Sequence, residues 1–299
     1  MTLNLVRATL AGLLLCIVPT ASQAGTVTFG SGANTFTMDF ATIGNPGNAA
    51  DTTGAPNPAG AVAYKYGLGK FEVSEDMINK FNNSQSLTIT KNTRGTAKPA
   101  TNVSWNEAAR FVNWLNTSTG NQAAYKFTTS GVNDNIALWT AADTLDYDAT
   151  NPYRSKRATY VLPSYNEWYK AAFYDQNKNG GAGGYWRYTN GSDAAPTAVA
   201  SGTNAGTAVY DLDFFSQGPA DVTLAGGLSP YGVMGLGGNV WESQESSQDL
   251  LNSSVFSERN FRGGGWNSSF EFLLSQTQAS NSPDGAFVFL GFRVASLEL

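Results

Sequence analysis

From Gly25 onward, apolar positions come in short runs separated by clusters of Gly, Asn, Thr and Pro. The pieces TVTFG and TFTMDF alternate apolar and polar residues, which predicts strands between turns. Residues 44–61, GNPGNAADTTGAPNPAGA, carry no periodic apolar face and read as a long surface loop. AVAYKYGLGKFEV, residues 61–73, alternates again and predicts a strand or hairpin that stops at Ser74. Ser74 can cap a helix whose first turn holds Glu75 and Asp76, where the helix dipole favours negative charge, and Met77, Ile78 and Phe81 supply its apolar face. Ser104-Trp105-Asn106-Glu107 is a capping box, followed at helical spacing by Ala108, Phe111, Val112 and Leu115. Trp105 and Trp114 are the expected core anchors. Ser164 and Glu167 repeat the box ahead of Trp168, Ala171, Ala172 and Phe173. Beyond Asp175 there are turns and short strand-like runs but no helix. Three short helices in a turn-rich chain predict an irregular α+β class with little regular secondary structure, in one domain.

Composition narrows what that domain can do. Charged residues are 14% of the chain, against roughly 25% for soluble proteins in general, so amides and hydroxyls solvate much of the surface. The aromatic share of 12% supplies groups to bury and argues against disorder. A net charge of -5 with no basic run excludes a nucleic-acid partner. Residues 1–24 read as a signal peptide: Arg7 leads, Ala8 to Val18 are apolar, and Ala21-Ser22-Gln23-Ala24 suits cleavage before Gly25. A secreted or periplasmic protein is expected, with no membrane span after cleavage, because no later stretch is long and apolar enough. The only cysteine, Cys16, lies within that segment, and there is no histidine. This excludes a thiol nucleophile, a serine-histidine relay and the usual zinc and iron sites.

Few chemical constellations remain. Asp175-Gln176-Asn177-Lys178-Asn179-Gly180 matches the first half of a calcium loop, but the closing acid position holds Trp186, so an Asn/Gly turn is the expected form. The glycine-rich pieces GGAGGYW, MGLGGNVWE and RGGGWN open no capped helix and precede no Lys-Ser/Thr pair; backbone sterics, not phosphate binding, explains them. Glu242 with Asp221 or Glu245 is the only carboxylate pairing worth naming, and it matches no known spacing.

Six phrases occur in a characteristic order: GLGKFEVS (67–74), PATNVSWNEAARFVNWLN (99–116), VLPSYNEWYKAAFYD (161–175), SPYGVMGLGGNVWES (229–243), FRGGGWNSS (261–269) and LGFRVAS (290–296). Together they resemble the formylglycine-generating enzyme, or sulfatase-modifying factor, family. On that resemblance residues 25–60 form an N-terminal strand and loop extension, and 61–299 the family domain. GNPGNAADTTG and NEWYKAAFYD also resemble an exported bacterial subgroup that carries a PEP-CTERM sorting tail. Here the chain stops at FRVASLEL without that tail, so the expectation is either free release or loss of the tail.

The resemblance implies an irregular fold related to C-type lectins, and an activity in which copper oxidises a sulfatase cysteine to formylglycine through two cysteines. Set against Arg262-Gly263-Gly264, those two positions fall at Ser268 and Leu273. Neither can ligate copper(I) or form a mixed disulfide. Copper, iron and the parent activity are therefore expected to be absent. Two calcium sites are implied by position: Asn204, Ala205, Asp221 and Thr223 for one, and Gly238, Val240 and Glu242 for the other. At the second, Gly235 stands where the family supplies an Asn or Asp oxygen. One ion is expected, two at most.

Two functions follow. The first is a non-catalytic module that recognises an extracellular or periplasmic glycan or protein, using Trp266, Asn267, Ser268, Phe270 and Phe272 in a segment that continues to Phe287 and whose polar and aromatic mix suits adaptable contacts. The alternative is an enzyme of altered chemistry around Ser268. A buried acid beside Ser268 would favour the alternative; a site filled by Leu273 and Phe side chains would oppose it.

Overall fold

The computed structural model describes residues 25–54 and 57–298; the expected signal peptide lies outside them. Three helices occupy the predicted places: α1, Glu75–Ser84; α2, Trp105–Ser118; and α3, Tyr165–Phe173. The Ser74 hydroxyl accepts from the Met77 N–H, and both predicted capping boxes are formed, with Ser104 and Ser164 bonded to Glu107 and Glu167. Reciprocal capping satisfies two backbone donors at each start, so short helices hold in a chain with little intrinsic helical bias.

Five strands form the first sheet: Gly25–Phe29, Phe36–Ile43, Tyr66–Gly69, Ala295–Ser296 and Tyr160–Val161, in that spatial order and antiparallel throughout. The C-terminal strand is thus an internal one, with Ala295 set between Leu68 and Val161. Phe36, Phe81 and Phe111 gather around Trp114, whose ring centroid is 5.6 Å from that of Phe36 and 5.5 Å from that of Phe81. Trp105 and Trp114 are both buried, as expected.

A second sheet orders Ala279–Asn281, Arg259–Arg262, Trp241–Ser247 and Leu290–Phe292; its last pair is parallel. After α3 only two 3-10 turns, Lys178–Gly181 and Phe270–Leu273, interrupt the strands and loops. The loop 44–61 differs from expectation in being partly tucked in. Asp51 is buried, accepts a 2.6 Å hydrogen bond from the Tyr169 hydroxyl, and bridges to Ala59. Its composition is that of a surface loop, but one acid meeting one buried phenol fastens it to α3. Among the described residues no helix is long and apolar enough to cross a membrane.

Candidate functional site

The strand Arg259–Arg262 delivers the chain into Gly263 and Gly264, both at positive φ. A Cβ at Gly263 would lie 2.7 Å from the Leu236 carbonyl oxygen, and one at Gly264 would lie 2.8 Å from Leu273 Cδ1. Only glycine can turn the chain here while letting it run against its neighbours. Trp266 then fixes the turn: its N–H donates to Asn239 O at 2.8 Å, its carbonyl accepts from Leu212 N at 2.8 Å, and its indole packs on Val209, Ala220 and Val240. Arg262 holds the far side. Buried, it donates to the Ser275 and Thr277 carbonyls at 2.7 and 2.8 Å and lies 4.7 Å over the Tyr165 ring.

Within this frame Ser268 and Leu273 are both buried. The Ser268 hydroxyl accepts from the Gly265 N–H at 2.9 Å, and its backbone carbonyl accepts from Asp211 N at 2.9 Å. Its hydroxyl partner is therefore an amide of its own turn, not an acid. Leu273 packs with Tyr188, Ala208, Tyr210 and Leu274. Phe272 sits edge-on to Trp241 at 5.8 Å, while Phe270 and Phe272 remain 45% and 46% exposed. Asn267 has a buried Oδ1 without a hydrogen-bond partner. Of the five residues predicted for recognition, Trp266 and Ser268 are inward supports, and the two phenylalanines are the outward surface.

The calcium positions separate into two cases. Asn204 and Ala205 approach the segment that follows Asp221 and Thr223: Gly202 N–H donates to Leu224 O, and a Cβ at Gly227 would meet Asn204 O at 2.9 Å. The Asp221 carboxylate is paired with Lys98 at 3.0 Å, and Asn204 O accepts from the Thr207 hydroxyl at 2.7 Å. A partly exposed carboxylate with nearby carbonyls is a donor set calcium accepts, provided Lys98 swings away. At the other position Gly238 and Val240 flank buried Asn239, but both oxygens of Glu242 are taken. Arg293 grips them through Nε and Nη2, and Trp168 Nε1 donates to Oε2 at 2.6 Å. A guanidinium already supplies the positive charge there, so this set fits a calcium ion poorly.

Glu242 belongs to a feature the hydrophobic pattern could not announce. All seven residues of Trp241–Ser247, WESQESS, are buried. The pairing with Arg259–Arg262 shifts register within Ser243–Ser247, and Glu242 and Glu245 meet different arginines. Glu245 is met by Arg154 at 3.6 Å and by the Tyr125 hydroxyl at 2.9 Å; Arg154 also reaches Glu167 at 3.1 Å. Burial lifts the pKa of Glu245 despite Arg154, whereas at Glu167 burial, the largest single influence, is outweighed by Arg154 together with hydrogen bonds from Tyr64 and the Ser164 backbone, and the pKa is lowered. Glu72 adds a second buried carboxyl beside Arg293. Asn239 Nδ2 donates to its Oε1 at 2.8 Å, its Oε2 has no partner, and burial pushes its pKa up to about 7 against the pull of Arg293. Glu242, Glu245 and Asp221 thus each answer to a different cation, and no acid-base pair is formed among them.

The loop Asp175–Gly180 is the expected turn. Asp175 accepts from the Asn177 N–H at 2.8 Å and from Trp186 Nε1 at 3.1 Å, and Asn179 and Gly180 take positive φ.

Residues 24–297 match the sulfatase-modifying factor enzyme 1-like domain. No curated protein matches the chain in sequence. Among solved structures, Treponema denticola variable protein 1 is similar with a TM-score of 0.59 at 19% identity, covering 91% of this chain and 98% of that one. CarF follows with a TM-score of 0.56 at 19% identity over 87% and 98% of the two chains. PvdO from Pseudomonas aeruginosa gives 0.52 at 15% identity over 91% of each. At these identities the likeness is one of fold.

Proposed function

The chain belongs to the sulfatase-modifying factor enzyme 1-like family, and from that premise we propose that it is an exported recognition module and not a formylglycine-generating oxidase. The observation that carries this reading is the state of the two positions where the family resemblance places thiols. Ser268 is tied to a backbone amide and Leu273 fills an aromatic cluster. Copper(I) does not fit a donor set that offers neither sulfur nor imidazole. Ser268-based chemistry has no support either, since the buried acid it requires is not its partner.

The proposed contact surface is the rim of the Trp266–Leu274 loop, with half-exposed Phe270 and Phe272 as adaptable apolar contacts above a rigid base. An extracellular or periplasmic glycan or protein is the expected ligand. One calcium ion would be held by Asn204, Ala205, Asp221 and Thr223, bracing the loops through hard oxygen donors. Export would follow removal of residues 1–24, which mass spectrometry of the released protein would report as a new N-terminus at Gly25.

The test is a panel of envelope glycans and proteins offered to the released protein, beside a sulfatase-peptide turnover assay. Binding to a panel member, weakened about tenfold or more by joint Phe270→Ala and Phe272→Ala substitution without a change in melting, supports the reading. Formylglycine production or copper uptake would overturn it.

A further inference from the structure

Beside Trp266, Arg94 and Lys98 border a cavity of about 490 Å³ that is also lined by Ser201, Leu212, Gln217 and Gly218 and by neither Phe270 nor Phe272. That size lies within the roughly 300–1,000 Å³ range of small-molecule sites. No acidic side chain lines it, although the chain as a whole carries a net charge of -5. Lys98 is neutralised from outside by Asp221 at 3.0 Å. Arg94 has no direct ion pair among the described residues: Glu75, already paired with Lys91 at 3.2 Å, accepts from the Arg94 backbone N–H and acts on the guanidinium only from beyond ion-pair distance.

The guanidinium is nevertheless fixed in place. Nη1 donates to Thr101 Oγ1 at 2.6 Å, Nη2 to Val288 O at 3.1 Å, and the group lies 4.8 Å over the Trp266 ring. These bonds leave Nε and part of the planar fork with no protein acceptor. Gly218 borders the cavity beside Nε. An oriented guanidinium with no direct ion pair is the natural partner of a carboxylate, which it grips with two parallel hydrogen bonds. One surplus positive charge matches a monoanion better than a phosphate dianion. Ser201 and Gln217 offer a hydroxyl and an amide to a ligand bearing hydroxyl groups.

We propose that this cavity binds a carboxylate-bearing sugar, a uronic acid unit, with Arg94 clamping the carboxylate and Ser201 and Gln217 meeting the hydroxyls. The site shares Trp266 with the base of the recognition loop but uses neither Phe270 nor Phe272 of its rim.

The experiment is calorimetric titration of the whole protein, in EDTA, with glucuronate, glucose, acetate and inorganic phosphate. Saturable glucuronate binding is expected, with no heat from glucose and weaker binding of acetate. Arg94→Gln should weaken glucuronate about tenfold or more, and added salt should weaken it too. Arg94 also ties Thr101 and Val288, so exposed Gln217→Ala is measured alongside as a variant that keeps the fold; it should weaken glucuronate and leave acetate unchanged. The Phe270→Ala, Phe272→Ala double variant should bind glucuronate normally, which separates failure here from failure of the loop reading. No glucuronate binding, equal binding by folded Arg94→Gln, or tighter binding of phosphate than of glucuronate would each sink the assignment.

Discussion

Glu72 shows how one absent side chain can set the ionisation of another residue. Gly235 takes positive φ, and a Cβ there would lie 2.5 Å from Glu72 Oε1, so the carboxyl occupies space that any other residue would claim. Buried, near Glu242 and with one oxygen unpartnered, its pKa is pushed up to about 7. The folded chain therefore holds a proton that the unfolded chain has released once the pH exceeds the ordinary carboxylate range. Stability from this group is fully present below the unfolded pKa and is lost as pH rises through about 7. Glu72→Gln stays neutral at every pH and should escape that loss. Its melting temperature relative to the parent should accordingly rise between about pH 5 and about pH 8; a gap independent of pH would refute the shifted carboxyl. Leu273 gives a second test at this scale. Leu273→Ala removes a buried side chain packed on Tyr188 and Tyr210, and should cost about 2–5 kcal/mol in urea unfolding.

Among the elements, the helices and the strand Trp241–Ser247 stand at opposite ends of legibility. Ser104 and Ser164 announce α2 and α3 because a capping box is a local device: donor, acceptor and spacing all lie within four residues. Ser104→Ala should cost about 1 kcal/mol, and more than Ser74→Ala, whose cap bond is longer at 3.4 Å; urea midpoints decide the order. WESQESS carries no such signal. A buried strand usually reads as apolar, and here burial depends on Arg293 and Arg154, which come from distant parts of the chain. Glu242→Ala would leave Arg293 buried with the Gly69 and Met234 carbonyls and Glu72 as its only nearby carboxyl. A loss of about 3–5 kcal/mol is expected for removing one partner of a buried pair, with the loss seen in equilibrium unfolding at neutral pH.

For the molecule as a whole, the α+β class and the family were readable because the phrases around Ser104, Ser164 and Arg262-Gly263-Gly264 are local in sequence. The fate of the site was readable only in part. The family resemblance sets Ser268 and Leu273 at its two cysteine positions, but that Ser268 turns back onto Gly265 and that Arg293 takes both oxygens of Glu242 depends on contacts across the fold. The same non-locality governs closure of the first sheet. Ala295–Ser296 lies between Tyr66–Gly69 and Tyr160–Val161, so the last strand joins elements that lie far apart in the chain. Deleting residues 294–299 would leave two strands with unpaired backbone groups and would remove Val294, which is fully buried, from the core. The truncated chain should lose cooperative thermal unfolding altogether, whereas deletion of residues 297–299 alone, which lie beyond that strand, should lower the melting temperature only slightly. A truncated chain that still melts in one sharp transition, measured by near-ultraviolet circular dichroism, would show that the sheet closes without its final strand.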